Sequence, residues 1–143
     1  MTQQDKDLLL RDLCARLPYG VILKGETSID GTINNIATLD AKLLAVDLST
    51  GFITIKDESH NWPLRIGSFK PYLRPLSSMT QEERDKFCDI GGVISYRPTD
   101  GKQYIVAFVP EALDYLNSIH ADYRGLIEKG LAIEVTDENN PYK

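Results

Sequence analysis

Leu43-Leu44-Ala45-Val46-Asp47-Leu48-Ser49-Thr50-Gly51-Phe52-Ile53-Thr54-Ile55-Lys56 is the stretch on which the fold turns. Phe52 to Lys56 nearly alternates apolar and polar residues, the period of a half-buried strand, and Ser49-Thr50-Gly51 supplies a turn before it. Leu43 to Leu48 reads as the strand entering that turn. Upstream, Val21-Ile22-Leu23 opens another strand, and Asp30-Gly31 marks a tight turn before a strand over Thr32 to Leu39. The whole stretch from Tyr19 to Phe69 is therefore expected to be a meander of short strands.

A helix precedes it, over Gln4 to Leu17. Leu9, Leu10, Leu13, Cys14 and Leu17 recur at three- and four-residue spacing, and Asp5, Lys6, Asp12 and Arg16 are assigned to the opposite, solvent side. Pro18 ends it. A helix followed by four or five antiparallel strands suggests a small barrel-like unit, because closure removes the edges that a meander exposes. An Sm-like barrel has that order of elements. Its diagnostic motif is absent, so the likeness carries no RNA-binding role.

The second half reads as an α+β unit. Thr80-Gln81-Glu82-Glu83 is a capping box that starts a helix to about Ile90, and Gly91-Gly92 stops it. Val93 to Arg97 and Lys102 to Phe108 form a hairpin around Pro98-Thr99-Asp100-Gly101. Pro110 fits the first position of a helix with Ala112, Leu113, Leu116 and Ile119 on its apolar face. Asp122 caps a second short helix over Tyr123 to Lys129, and Leu131 to Val135 is a last strand. The fold class is α+β, with a helix and barrel-like meander over residues 1–78 and an α+β unit over 79–143, packed together as one compact domain.

Net charge is −5. Residues 1–75 balance nine Lys/Arg against nine Asp/Glu, and residues 76–143 carry seven against twelve, so the second half holds the whole excess. That half repels phosphate backbones, which disfavours general nucleic-acid binding. No run approaches the roughly 18 apolar residues of a membrane span, and the polar start is unlike a secretion signal. Two cysteines 74 positions apart, each in a helical pattern suited to a packed thiol, fit a reducing cytoplasm.

Phosphate-loop, hydrolase-elbow and zinc-protease spacings are all missing, and no metal or cofactor is expected. His60 and His120 are the only side chains whose ordinary pKa lies near neutrality, so acid–base chemistry would recruit one of them. His120 is expected to bond the free carbonyls of the preceding helix in its positive form. The more distinctive feature is residues 59–81, which contain no Asp or Glu but hold Trp62, Arg65, Phe69, Lys70, Tyr72 and Arg74. The cations suit an anion, and the rings offer flat faces for a base or a peptide side chain. The same rings suit packing over one end of the meander.

Three stretches carry a resemblance. They are Leu8-Leu9-Leu10-Arg11-Asp12-Leu13-Cys14-Ala15-Arg16-Leu17-Pro18-Tyr19-Gly20, Lys70-Pro71-Tyr72-Leu73-Arg74-Pro75-Leu76-Ser77-Ser78-Met79-Thr80, and Asp122-Tyr123-Arg124-Gly125-Leu126-Ile127-Glu128-Lys129-Gly130-Leu131-Ala132-Ile133-Glu134, the last preceded by Asp114-Tyr115-Leu116-Asn117. Together they resemble a family of short proteins from phages, prophages and mobile elements of gut anaerobes, which has no assigned activity. The resemblance implies a bacterial cytoplasm and a phage-related accessory role. With no catalytic signature, the expectation is an interaction module for a protein partner or for itself. The alternatives are nucleic-acid or nucleotide binding through residues 59–81, and an enzyme built around His60 or His120.

Overall fold

The computed structural model describes residues 1–28, 36–56 and 61–143. Helix α1, Gln3–Arg16, begins at a capping box in which Thr2 accepts from the Asp5 amide and Asp5 accepts from the Thr2 amide. A single 3₁₀ turn, Leu17–Tyr19, ends it, and Gly20 then takes the left-handed backbone that a β-carbon would disfavour.

Among the described residues eight strands follow or interleave with two further helices: β1 Ile22–Ser28, β2 Ile36–Asp47, β3 Phe52–Lys56, β4 Asn61–Arg65, β5 Phe69–Leu73, β6 Gly92–Tyr96, β7 Gln103–Ala107 and β8 Ile133–Glu134. The first five and β8 form one sheet in the order β4-β3-β2-β1-β5-β8, antiparallel except at β5–β8. Among the described residues no pairing joins the two ends of this sheet. β4 is a free edge carrying Pro63, which cannot donate to a further strand.

The strands expected over Thr32 to Leu39 and Leu43 to Leu48 are one twelve-residue strand where the structure describes them. Nothing between them breaks the chain, and Ala41 is buried in the core. A bulge shifts the register between Leu43 and Ala45, so that Leu44 and Ala45 are both exposed and Val46 turns back onto the core. The expected Asp30-Gly31 turn lies outside the described residues.

Helix α2, Gln81–Ile90, starts at the expected Thr80/Glu83 box, and α3, Pro110–Ser118, starts on Pro110. β6 and β7 pair as the expected hairpin. Tyr123 to Lys129 is a run of turns, not a helix: the Asp122 carboxylate accepts from both the Leu126 and Ile127 amides, and this ties the chain into a loop. The last strand is shortened to Ile133–Glu134, lying parallel to β5.

Two apolar clusters result. Leu9, Leu13, Leu23, Ile53, Ile55 and Phe69 centre the first, between α1 and the sheet, and Phe87, Ala112, Leu116 and Ala121 centre the second, between α2, α3 and the hairpin. Leu126, Leu131 and Ala132 belong to the first cluster although they come from the far end of the chain. Among the described residues no helix is long and apolar enough to cross a membrane.

Close packing makes two glycines obligatory. Gly25 lies opposite Phe69 in the β1–β5 ladder, and a β-carbon there would stand 2.4 Å from the Phe69 ring; at Gly92 it would stand 2.2 Å from the Phe87 ring. Gly25→Ala is therefore expected to lower the unfolding free energy by about 1–3 kcal/mol, seen as a lower urea midpoint at unchanged slope. Adding Phe69→Leu should recover part of the loss. A midpoint unmoved by Gly25→Ala would mean that Phe69 does not cover Gly25.

Candidate functional site

The acid-free segment does not form one exposed surface. Phe69 is 0% and Tyr72 2% exposed, because β5 runs between β1 and β8 with neighbours on both sides. The Tyr72 hydroxyl donates to Asp40 Oδ1 at 2.9 Å, and burial with that carboxylate pushes its pKa up to about 12. Arg74 is engaged too: its guanidinium donates to both carboxylate oxygens of Glu83 at 2.7 and 2.8 Å. Those bonds hold Glu83 near pKa 2. Acids are missing from residues 59–81 because strands and core fill much of the segment, and its half-buried cation, Arg74, takes its carboxylate from α2.

Arg65 and Lys70 are exposed, Trp62 lies in β4 opposite Ile55, and His60 lies outside the described residues. Five of the six residues expected to act together are thus divided between core, ion pair and surface, and the side chain of Trp62 lies outside the described ones.

A buried polar cluster lies where α1 meets the turn after α3. Asp12 and Arg16, assigned to solvent by their charge, are both 0% exposed. Arg16 Nε donates to Asp12 Oδ2 at 2.7 Å, and Arg16 Nη2 donates to the Ala121 carbonyl at 2.8 Å. Arg124 donates to the other Asp12 oxygen at 3.0 Å. Both guanidiniums lie over the Tyr123 ring, 5.4 and 4.7 Å from its centroid.

His120 sits beside this cluster and corrects the sequence expectation. Its backbone has φ 61°, and its amide and that of Ala121 donate to Asn117 and Leu116 carbonyls, closing α3 as a Schellman motif with histidine in the usual glycine place. The ring does not cap carbonyls. It stacks on Tyr142, with centroids 3.7 Å apart, and its Nδ1 is buried without a partner. Burial, reinforced by Arg16 and Arg74, pushes its pKa down to about 4, so the imidazole is neutral.

Such a group is a poor base at neutral pH. Cys14 is half-buried, its thiol pKa raised by burial, and Cys88 is exposed, contrary to the packed thiol expected there. Among the described residues no three His, Cys, Asp or Glu side chains gather to hold a metal.

The surface that sequence reading missed is the hairpin. Val93 faces Val106 across the ladder, and Tyr104 and Phe108 flank Val106 on the same face. All four are exposed, Phe108 at 73%. Ile94, Ile105 and Ala107 face inward onto the second cluster. The signal was available: both strands are apolar on consecutive residues, and a two-stranded ribbon with helices on one face cannot bury both. Beside the hairpin tip lies a cleft of about 550 Å³ bounded by Leu76, Tyr96, Gln103 and Ile127, with the ion pair Lys102–Glu128 across it.

No protein family, curated protein or solved structure matches the chain.

Two predictions concern the buried cluster. Asp12→Ala leaves Arg16 without its carboxylate in a sealed interior and should cost about 3–5 kcal/mol of stability in chemical denaturation. A loss below 1 kcal/mol would show the pair to be solvated. Stability should also fall as pH drops from about 6.5 towards about 4, because the unfolded chain binds a proton on His120 that the folded chain refuses. His120→Asn, which tolerates the left-handed backbone, should flatten that part of the profile; the same slope in wild type and variant would assign it to other groups.

Proposed function

We propose that this chain is a non-catalytic protein-interaction module whose contact surface is the outer face of the β6–β7 hairpin. One observation carries the reading: of nine large apolar side chains exposed among the described residues, four, Val93, Tyr104, Val106 and Phe108, lie together on the outer face of this hairpin. Isolated exposed apolar residues are ordinary, but a contiguous strip on one sheet face is the mark of a surface that is covered in use. Aromatic anchors such as Tyr104 and Phe108 are the side chains from which interfaces draw most of their energy.

The helix-and-meander half serves in this reading as scaffold, barrel-like in its bulged β2. The setting taken from the resemblance is a phage-related accessory role in a bacterial cytoplasm. No cofactor enters this reading.

A second reading, nucleic-acid binding, is favoured by one observation. Lys24 stands directly opposite Lys70, and Lys42 directly opposite Lys56, on neighbouring strands. Opposed like charges cost stability and suit an anion. This reading has less support, since Phe69 and Tyr72 are interior and the net charge is −5. An enzyme based on His120 has the least, given its neutral, stacked ring.

A photo-crosslinking amino acid placed at Phe108, with a second variant carrying it at Arg65, tests the choice in cells. Protein adducts from position 108 and none from position 65 are expected. Adducts to nucleic acid from position 65 would favour the second reading, and no adduct from position 108 would remove the first.

A further inference from the structure

We infer that the hairpin's partner is a second copy of this chain, joined by antiparallel pairing of β7 with β7 about a two-fold axis at Val106. The inference rests on the reading of the hairpin as the contact surface and specifies its occupant.

The backbone fixes which groups are free. Arg97 N donates to the Lys102 carbonyl at 2.8 Å, and Phe108 N donates to the Gly91 carbonyl at 2.9 Å. With the ladder register, Lys102, Tyr104, Val106 and Phe108 therefore turn their backbone groups towards β6. Gln103, Ile105 and Ala107 turn theirs to the open edge, where no backbone partner meets them among the described residues.

Apart from the Arg84 side chain, which donates to Gln103 Oε1 at 3.2 Å, no charge or proline of the described residues guards that edge. Neither Gly92–Tyr96 nor Gln103–Ala107 contains a charged residue or a proline. The free edge of the large sheet, by contrast, carries Pro63, and its other edge is the two-residue β8. Unguarded edges invite a further strand.

The strip also answers itself. With Val106 opposite Val106 of the second copy, Tyr104 lies across from its Phe108, and Phe108 from its Tyr104, all on one face. Aromatic pairs opposed in this way are among the favourable cross-strand contacts. In the same register Ile105 and Ala107 of one copy form hydrogen-bonded pairs with Ala107 and Ile105 of the other, using the groups that are free. Val109 is extended, with φ −137° and ψ 150°, so the strand can run past Phe108.

Charge agrees at both ends. The pairing brings Lys102, which pairs with Glu128 in its own chain, opposite Pro110 of the second copy and beside its Glu111, so no like charges are opposed at either end. The strip itself is uncharged, so two copies of an acidic chain meet there without opposing like charges.

Sedimentation equilibrium of the full chain over a range of concentrations tests this. Wild type should shift from monomer to dimer mass as concentration rises. Val106→Lys and Val106→Glu each place like charges on the two-fold axis and should weaken dimerisation at least about 100-fold. An equimolar mixture of the two variants should restore the dimer, a result that misfolding cannot produce. Wild type remaining monomeric at every concentration, or a dimer untouched by either variant, would overturn the inference. Should wild type stay monomeric while position 108 still crosslinks to a different protein, the hairpin remains the contact surface and only the second copy is excluded.

Discussion

The Asp12–Arg16 pair is the constraint on which the arrangement of this molecule depends. A carboxylate and a guanidinium without solvent contact are costly unless other interior groups meet most of their hydrogen-bonding positions. Here those groups come from elsewhere in the chain: the Ala121 carbonyl accepts from Arg16 Nη2, Arg124 donates to the second Asp12 oxygen and the Tyr123 ring lies against the guanidinium, while Arg16 Nη1 is buried without a hydrogen-bond partner. The helix that packs on the large sheet is thereby bound to the segment that leaves the second cluster. Apolar contact holds each cluster together, but this directional contact sets how α1 and the turn after α3 meet.

The sequence made the elements with local causes legible. A capping box needs only Thr80 and Glu83, a hairpin needs the turn at Pro98 to Gly101, and α3 needs Pro110 and its apolar face. What escaped were features whose causes lie far apart in the chain. Arg16 reaches the Ala121 carbonyl across 105 positions, and Asp12 finds Arg124 across 112. One of these was nevertheless readable. Leu9, Asp12, Leu13 and Arg16 follow i, i+3, i+4, i+7 spacing, so geometry put Asp12 and Arg16 on the buried face, while their charge suggested solvent. Spacing was the better guide.

The candidate site shows the same division. Residues 59–81 attracted attention by lacking acids, yet composition cannot distinguish a strand lined by neighbours from a surface prepared for a ligand. Phe69 and Tyr72 follow the first course. In the hairpin, consecutive apolar residues mark an element, but the pattern by itself does not say which face is buried. A ribbon of two strands has one side for its own helices, and Tyr104, Val106 and Phe108 are what remains on the other.

Tyr142 gives the architecture a kinetic side. Its hydroxyl accepts from the Ile22 amide at 3.1 Å and donates to the Tyr72 carbonyl at 2.7 Å, bridging β1 and β5 next to where their own ladder stops. Leu131, Ala132 and β8 likewise complete the first cluster and the sheet from the far end of the sequence. Contacts spanning 120 positions require large loops to close before they return any stabilisation. During synthesis, the amino-terminal sheet therefore keeps its β5 edge bare until residues 133 and 134 have left the ribosome, and lacks its hydroxyl bridge until residue 142 follows.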